Sequence, residues 1–102
     1  MKNLIALSNA ELLIQTRSLA AREREVTLDL LWHLREIESR RLFAVEGYPS
    51  LWEYVTRGLG YSEGSASRRI AAMRLLKDLP EIEPALKNGE LSLANASALQ
   101  HF

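Results

Sequence analysis

The 102-residue sequence predicts an all-α domain. Its apolar residues recur at the spacing of a helix face nearly everywhere, and alternating runs of Val, Ile, Thr and aromatic residues, which are typical of strands, are missing. Its 5 glycines and 3 prolines stand at a few points between the helical stretches, where they mark turns. The length is typical of one compact domain, so we expect all the helices to share one core.

The first segment, residues 1–48, is predicted to form long helices and to mediate dimerisation. Ser8 and Glu11 have the spacing of a capping box, and no Gly or Pro interrupts the chain before Gly47. One helix of about 35 residues, some 50 Å long, would be long for so small a domain. We therefore expect two helices or one bent helix, with the bend near residues 25–27 and the end at Gly47.

An almost continuous apolar stripe runs from Leu12 to Val45 in this segment. A small domain does not easily cover a stripe of that length by itself, and an isologous homodimer is the commonest way to hide one. Four residues are the predicted interface: Leu30, Trp32, Leu34 and Ile37.

The second segment, residues 49–102, begins with a short helix. Ser50 is a good N-cap, and Leu51, Tyr54 and Val55 are expected to form its buried side. Either Gly58 or Gly60 is expected to end it in the left-handed conformation.

A longer helix is predicted from Ser62 to about Asp78. Its inward residues are expected to be Ala66, Ile70, Met73 and Leu76. Pro80 then starts a short acidic helix that ends at Gly89, and Ser92 caps a last helix. Because this last helix runs straight into the C-terminus, a free domain and a part of a longer protein both stay open as alternatives.

The two helices around Gly60 have the layout of a helix–turn–helix, whose second helix enters the DNA major groove. The start of that second helix is built from small residues, so its backbone can approach DNA closely, and its exposed N–H groups suit a phosphate. Arginine and lysine side chains follow, with the reach to contact phosphates or guanine edges. The predicted DNA-binding residues are Ser62, Glu63, Gly64, Ser65, Ser67, Arg68, Arg69, Arg74 and Lys77.

Segregated charge supports this hypothesis although the formal net charge is zero. Residues 57–77 contain 5 basic side chains and 1 acidic side chain, whereas residues 78–90 contain 4 acidic side chains and 1 lysine. A basic face favours binding to double-stranded DNA. The alternative is a protein–protein interaction or dimerisation module. In that case the long N-terminal helices form the interface, and the arginines are ordinary solvated surface residues.

Catalysis and cofactor binding are not expected. The serines at residues 62, 65 and 67 have no paired histidine and aspartate to activate them. His33 and His101 are too far apart, without cysteines, to predict a metal site. No apolar run approaches the roughly 20 residues of a membrane span. The absence of cysteine agrees with a reducing compartment, so we expect a cytoplasmic protein.

About 40 residues, "GYSEGSASRRIAAMRLLKDLPEIEPALKNGELSLANASAL", resemble the helix–turn–helix region of ParB-type partition proteins. The shared features are the glycine and serine turn at Gly60 and Ser62, the R-L-L run from Arg74, the break at Leu79–Pro80, and G-x-L-S from Gly89. The resemblance implies that residues 62–69 read DNA. The arginine- or phosphate-gripping box that precedes the turn in that family is absent here.

The whole chain is also similar to the N-terminal region of a bacterial group of HNH endonuclease proteins. The matching pieces are "LSNAELL", "REREVTLDLLWHLREIESRRLFAVEGYPSLWEYVTRGLGYSEGSASRRI" and "GELSLANAS". In those proteins a C-terminal domain holds the catalytic histidines and metal, and no such motif occurs in this chain. The resemblance therefore implies a non-catalytic helper domain, the DNA-targeting part of a longer protein with a C-terminal nuclease domain. The other alternative for a DNA-binding domain of this kind is a free regulator.

Overall fold

A computed structural model describes residues 3–100, and every regular element in that range is helical. The six α-helices are α1 (Asn9–Arg40), α2 (Leu42–Val45), α3 (Leu51–Glu53), α4 (Glu63–Asp78), α5 (Glu83–Asn88) and α6 (Leu93–Gln100). Short 3₁₀ helices occupy Leu4–Ala6 and Pro80–Ile82, and a π-helical turn, Tyr54–Gly58, continues α3. The predicted all-α class is confirmed.

Helix α1 begins as the sequence predicts. The Ser8 Oγ accepts a hydrogen bond from the Glu11 amide at 3.1 Å, and the Ser8 hydroxyl donates to the Glu11 carboxylate at 3.0 Å. The predicted alternative of two helices separated near residues 25–27 is wrong, because α1 continues as one helix to Arg40. That stretch consists largely of good helix formers and holds no Gly or Pro to interrupt it.

The break falls at Arg41 instead, in the left-handed conformation with φ 53°. This conformation is uncommon for a residue other than glycine. The Arg41 guanidinium lies 5.4 Å from the centre of the Phe43 ring, and Phe43 is buried. The buried aromatic ring therefore helps to hold the corner between α1 and α2, and Gly47, with φ 90°, makes the next turn.

The start of α3 and the turn after it follow the predicted signals. The Ser50 Oγ accepts a hydrogen bond from the Glu53 amide at 3.1 Å, and Leu51 and Val55 are buried. Of the two candidate stop residues, Gly60 has the left-handed conformation, with φ 83°.

Helix α4 is the central helix of the domain. The Ser62 Oγ caps it by accepting from the Ser65 amide at 3.3 Å. All four residues predicted to face inward are buried, and three more join them, so the buried set is Ala66, Ile70, Ala71, Ala72, Met73, Leu75 and Leu76. Helix α4 packs against both α1 and α6, which explains why it is buried on more than one side.

The C-terminal helices cover α4 and the inner end of α1. Pro80 starts a 3₁₀ turn that leads into α5, and Gly89 ends α5 with φ 87°. The Ser92 Oγ then accepts from the Asn95 amide at 3.1 Å, as expected of an N-cap for α6. Helix α5 packs against α1, so both predicted segments contribute to a single core.

This packing corrects the set of α1 residues that the sequence predicts as an interface. Leu34 is 0% exposed and lies in the core with Leu28 and Leu31, so it is closed to a partner. The Trp32 indole N–H donates to the Glu83 carboxylate at 3.0 Å, which ties α1 to α5. Leu30, Trp32 and Ile37 are half-buried against the core. The residues chosen from the sequence therefore serve mainly the packing of the chain on itself.

The first part of α1, residues 9–20, is exposed along its whole length. We call it the outer half of α1. It carries large apolar side chains that remain in water, namely Leu12, Leu13, Ile14 and Leu19. A helix of 32 residues is about 48 Å long, close to the 49 Å longest extent of the domain. The outer half thus extends beyond the core, to which the inner half, residues 21–40, contributes.

We expect Ile70→Ala to lower the free energy of unfolding by about 2–5 kcal/mol, because Ile70 is buried and its removal leaves a cavity in the core. The matched control is Ile14→Ala, which removes the same atoms from an exposed position and should change stability by less than about 0.5 kcal/mol. Urea unfolding measures both. Equal losses would show that α4 is not the central helix.

Candidate functional site

The exposed start of α4 contains most of the small residues predicted to bind DNA. Ser62, Glu63, Gly64, Ser67 and Arg68 are all exposed, and together we call them the α4 tip. A Cβ atom on Gly64 would lie 3.2 Å from Nη1 of Arg68, so the glycine leaves room for the arginine side chain to lie along the helix. The tip therefore presents backbone, hydroxyl groups, one carboxylate and one guanidinium to solvent.

Arg69 does not share this surface. Its Nη1 donates to the carbonyl oxygen of Ser65 at 3.2 Å and to the Ser65 Oγ at 3.0 Å. Its guanidinium lies 4.8 Å from the centre of the Tyr61 ring, and the side chain is half-buried. Arg68 and Arg69, both predicted to bind DNA, therefore do not share one surface, because successive helix residues point about 100° apart.

Two of the remaining basic residues form ion pairs. Arg74 Nη2 lies 2.7 Å from the Glu38 carboxylate of α1, and Arg57 Nη1 lies 3.3 Å from that of Glu53. Within residues 3–100, Arg68 and Lys77 have no ion-pair partner. The local excess of positive charge is therefore smaller on the folded surface than along the sequence.

Trp52 lies beside the α4 tip, a position that the sequence pattern did not predict. Its indole N–H approaches the Ser67 Oγ at 3.4 Å, and 38% of the residue is exposed. A partly exposed indole next to a thin helix start adds an aromatic surface to the tip. No sequence signal distinguished this position from that of an ordinary core tryptophan, because the contact joins residues that are 15 positions apart.

A second candidate surface lies on α1. Leu12, Leu19 and Val26 follow one another at intervals of seven residues and are 40%, 55% and 66% exposed. Residues at this interval lie on nearly the same side of a helix, with a drift of about 20° per interval. They form a line of apolar side chains with polar residues in the turns between them, and we call this line the α1 stripe. Leu30 continues it toward the core, where it becomes half-buried.

Metal-ligating side chains do not gather in the described part of the chain. No group of three or more His, Asp or Glu residues within residues 3–100 is placed to hold a metal ion. The Nδ1 atom of His33 lies 2.6 Å from the carbonyl oxygen of Asp29 in the preceding turn. His101 lies outside the described residues. In the same range, every helix is too short or too polar to cross a membrane.

Comparison with known proteins adds no assignment to either surface. No family model matches the chain, and neither a curated protein nor a solved structure matches it. We therefore infer a function from the geometry of the α4 tip and of the α1 stripe.

Proposed function

We propose that this domain is a homodimerisation module that associates through the α1 stripe. The observation that carries the proposal is the exposure of residues 9–20, a helical segment that leaves several large apolar side chains in water. A single helix of about 12–15 residues is marginally stable in water, and most helices in proteins are stabilised by packing an apolar face. Large apolar side chains exposed on one helix favour association with a partner that covers them.

The charges along α1 favour a second copy of the chain in antiparallel orientation. If two copies cross at Leu19, Leu12 of one copy lies opposite Val26 of the other. The two charged residues next to the stripe, Arg22 and Glu23, then lie opposite uncharged residues. In a parallel pair each of them would lie opposite its own like charge. Either pair is isologous, so the charges decide between them.

Leu19→Glu should convert the dimer to a monomer, because it places a carboxylate at the centre of the crossing. The matched control is Ser18→Glu, which adds the same charge about 100° around the helix and should leave the dimer intact. Light scattering coupled to size exclusion measures the mass, for which one chain contributes 11.6 kDa. A parent protein that stays at the mass of one chain at high micromolar concentration contradicts the proposal.

Cysteine cross-linking should reveal the orientation, because the chain has no native cysteine. In the antiparallel pair, the Leu19→Cys variant forms a disulfide between the two chains of its dimer under mild oxidation. Leu12→Cys and Val26→Cys should form few disulfides alone and should link to each other when mixed. Non-reducing gels separate these products. Equal self-linking at all three positions would indicate a parallel dimer.

DNA binding through the α4 tip is the second candidate function, and it is also non-catalytic. It is favoured by the exposure of small residues at the start of α4 beside Arg68 and Trp52. Backbone N–H groups at a helix start suit a phosphate, and arginine reaches phosphates and guanine edges. Lys77 lies at the other end of α4, where it can contact only flanking backbone. Glu63 would oppose a phosphate and weaken binding.

We expect Arg68→Ala to weaken binding to duplex DNA several-fold and to reduce the salt slope by about one unit. Arg69→Ala is the matched control, because Arg69 is turned toward Ser65 and Tyr61 and should leave the slope unchanged. Glu63→Gln should strengthen binding. Gel shifts at several salt concentrations measure all three variants. A parent protein that does not shift duplex DNA at low salt excludes this candidate.

Both candidates agree with the resemblance to the N-terminal region of HNH endonuclease proteins. A dimeric helper domain would pair two copies of a longer protein, and a DNA-binding tip would hold that protein on duplex DNA. The ParB-like helix–turn–helix, the C-terminal nuclease domain and a cytoplasmic location remain predictions from the sequence.

A further inference from the structure

A cavity of about 470 Å³ lies where α1, α4, α5 and the start of α6 meet. This volume is within the usual range of small-molecule sites, which are mostly apolar with a few polar groups. Apolar side chains from α1, from α5 and from the start of α6 and the turn before it line it, namely Leu28, Leu31, Leu86, Leu91 and Leu93. Neither of the candidate functions above uses this cavity.

Two arginines line the same cavity. Arg24 is held in place by its Nε, which donates to the carbonyl oxygen of Lys87 at 3.0 Å, and it packs along Gly89. Arg69 reaches the cavity from α4, and its Nε is buried without a hydrogen-bond partner among the described residues. A buried donor without an acceptor is unfavourable, so a small shift of the Arg69 side chain that brought this N–H to a ligand acceptor would stabilise the site.

The charge of the lining determines which ligand fits. Arg24 and Arg69 contribute two positive charges, and Glu23 contributes one negative charge. The remainder of the lining consists of five leucines and four small or hydroxyl-bearing residues, namely Thr27, Gly89, Ser92 and Ala94. A ligand that matches this arrangement has one negative charge and an apolar chain.

We propose that the cavity binds an amphipathic monocarboxylate. Its carboxylate accepts hydrogen bonds from the guanidinium groups of Arg24 and Arg69, and its alkyl chain contacts Leu31 and Leu86. Arginine is well suited to this role because its planar donors match the geometry of a carboxylate. The site uses Arg69, whereas the DNA candidate uses the neighbouring Arg68, so the two can be separated by substitution.

Hexanoate is the probe, and ¹H–¹⁵N chemical shifts of the whole chain report where it binds. We expect saturable shifts at residues that line the cavity, such as Leu31, Leu86 and Leu93. Arg69→Met should weaken binding by about tenfold, the effect of losing a charge-assisted hydrogen bond. The matched control, Arg68→Met, should bind hexanoate as the parent does.

Three further measurements test whether both the charge and the chain of hexanoate are recognised in this cavity. Hexylammonium, which reverses the charge, and acetate, which lacks the chain, should bind at least about tenfold more weakly than hexanoate. Leu19→Glu should bind hexanoate as the parent does, because the α1 stripe is not part of the cavity. If Arg69→Met fails to fold, Arg24→Met provides the same test. Shifts confined to Leu12 and Leu19, or equal binding by Arg69→Met and the parent, would overturn the proposal.

Discussion

The burial of α4 between α1 and α6 is the interaction on which the rest of the structure depends. Seven of its residues are buried, and they pack against Leu28, Leu31 and Leu34 of α1 on one side and against α6 on the other. Because a domain of this size buries only one core, α4 uses the inner half of α1 and leaves the outer half in water. The same packing leaves the first turns of α4 as its main exposed part.

Because of this packing, the three candidate sites lie in different parts of the domain. The α1 stripe, the α4 tip and the cavity depend on different key residues, Leu19, Arg68 and Arg69, so each can be disabled while the others stay intact. The stripe has the strongest physical basis, because exposed apolar surface has a cost that association removes. DNA binding by the tip depends on positive charge. Most basic side chains near the tip either form ion pairs within the domain or are half-buried.

The sequence by itself determined where most helices start and stop. The serines at residues 8, 50, 62 and 92 each cap a helix as predicted, and the glycines at residues 60 and 89 end helical segments in the left-handed conformation. These signals succeed because a cap is a hydrogen bond between residues three positions apart, and a stop depends on the conformational freedom of one residue. The all-α class and the inward face of α4 follow from periodicity, which is equally local.

Only the tertiary structure decided which apolar and charged residues remain available to partners. Leu34 and Leu19 look alike in one helical stripe, yet the first is in the core and the second is exposed. Arg74 pairs with Glu38, which is 36 positions away, and Arg69, whose guanidinium contacts Ser65 and Tyr61, also lines the cavity beside α1 and α5. Burial and pairing depend on elements that are distant in the chain and adjacent in space, and helix periodicity carries no information about which elements those are.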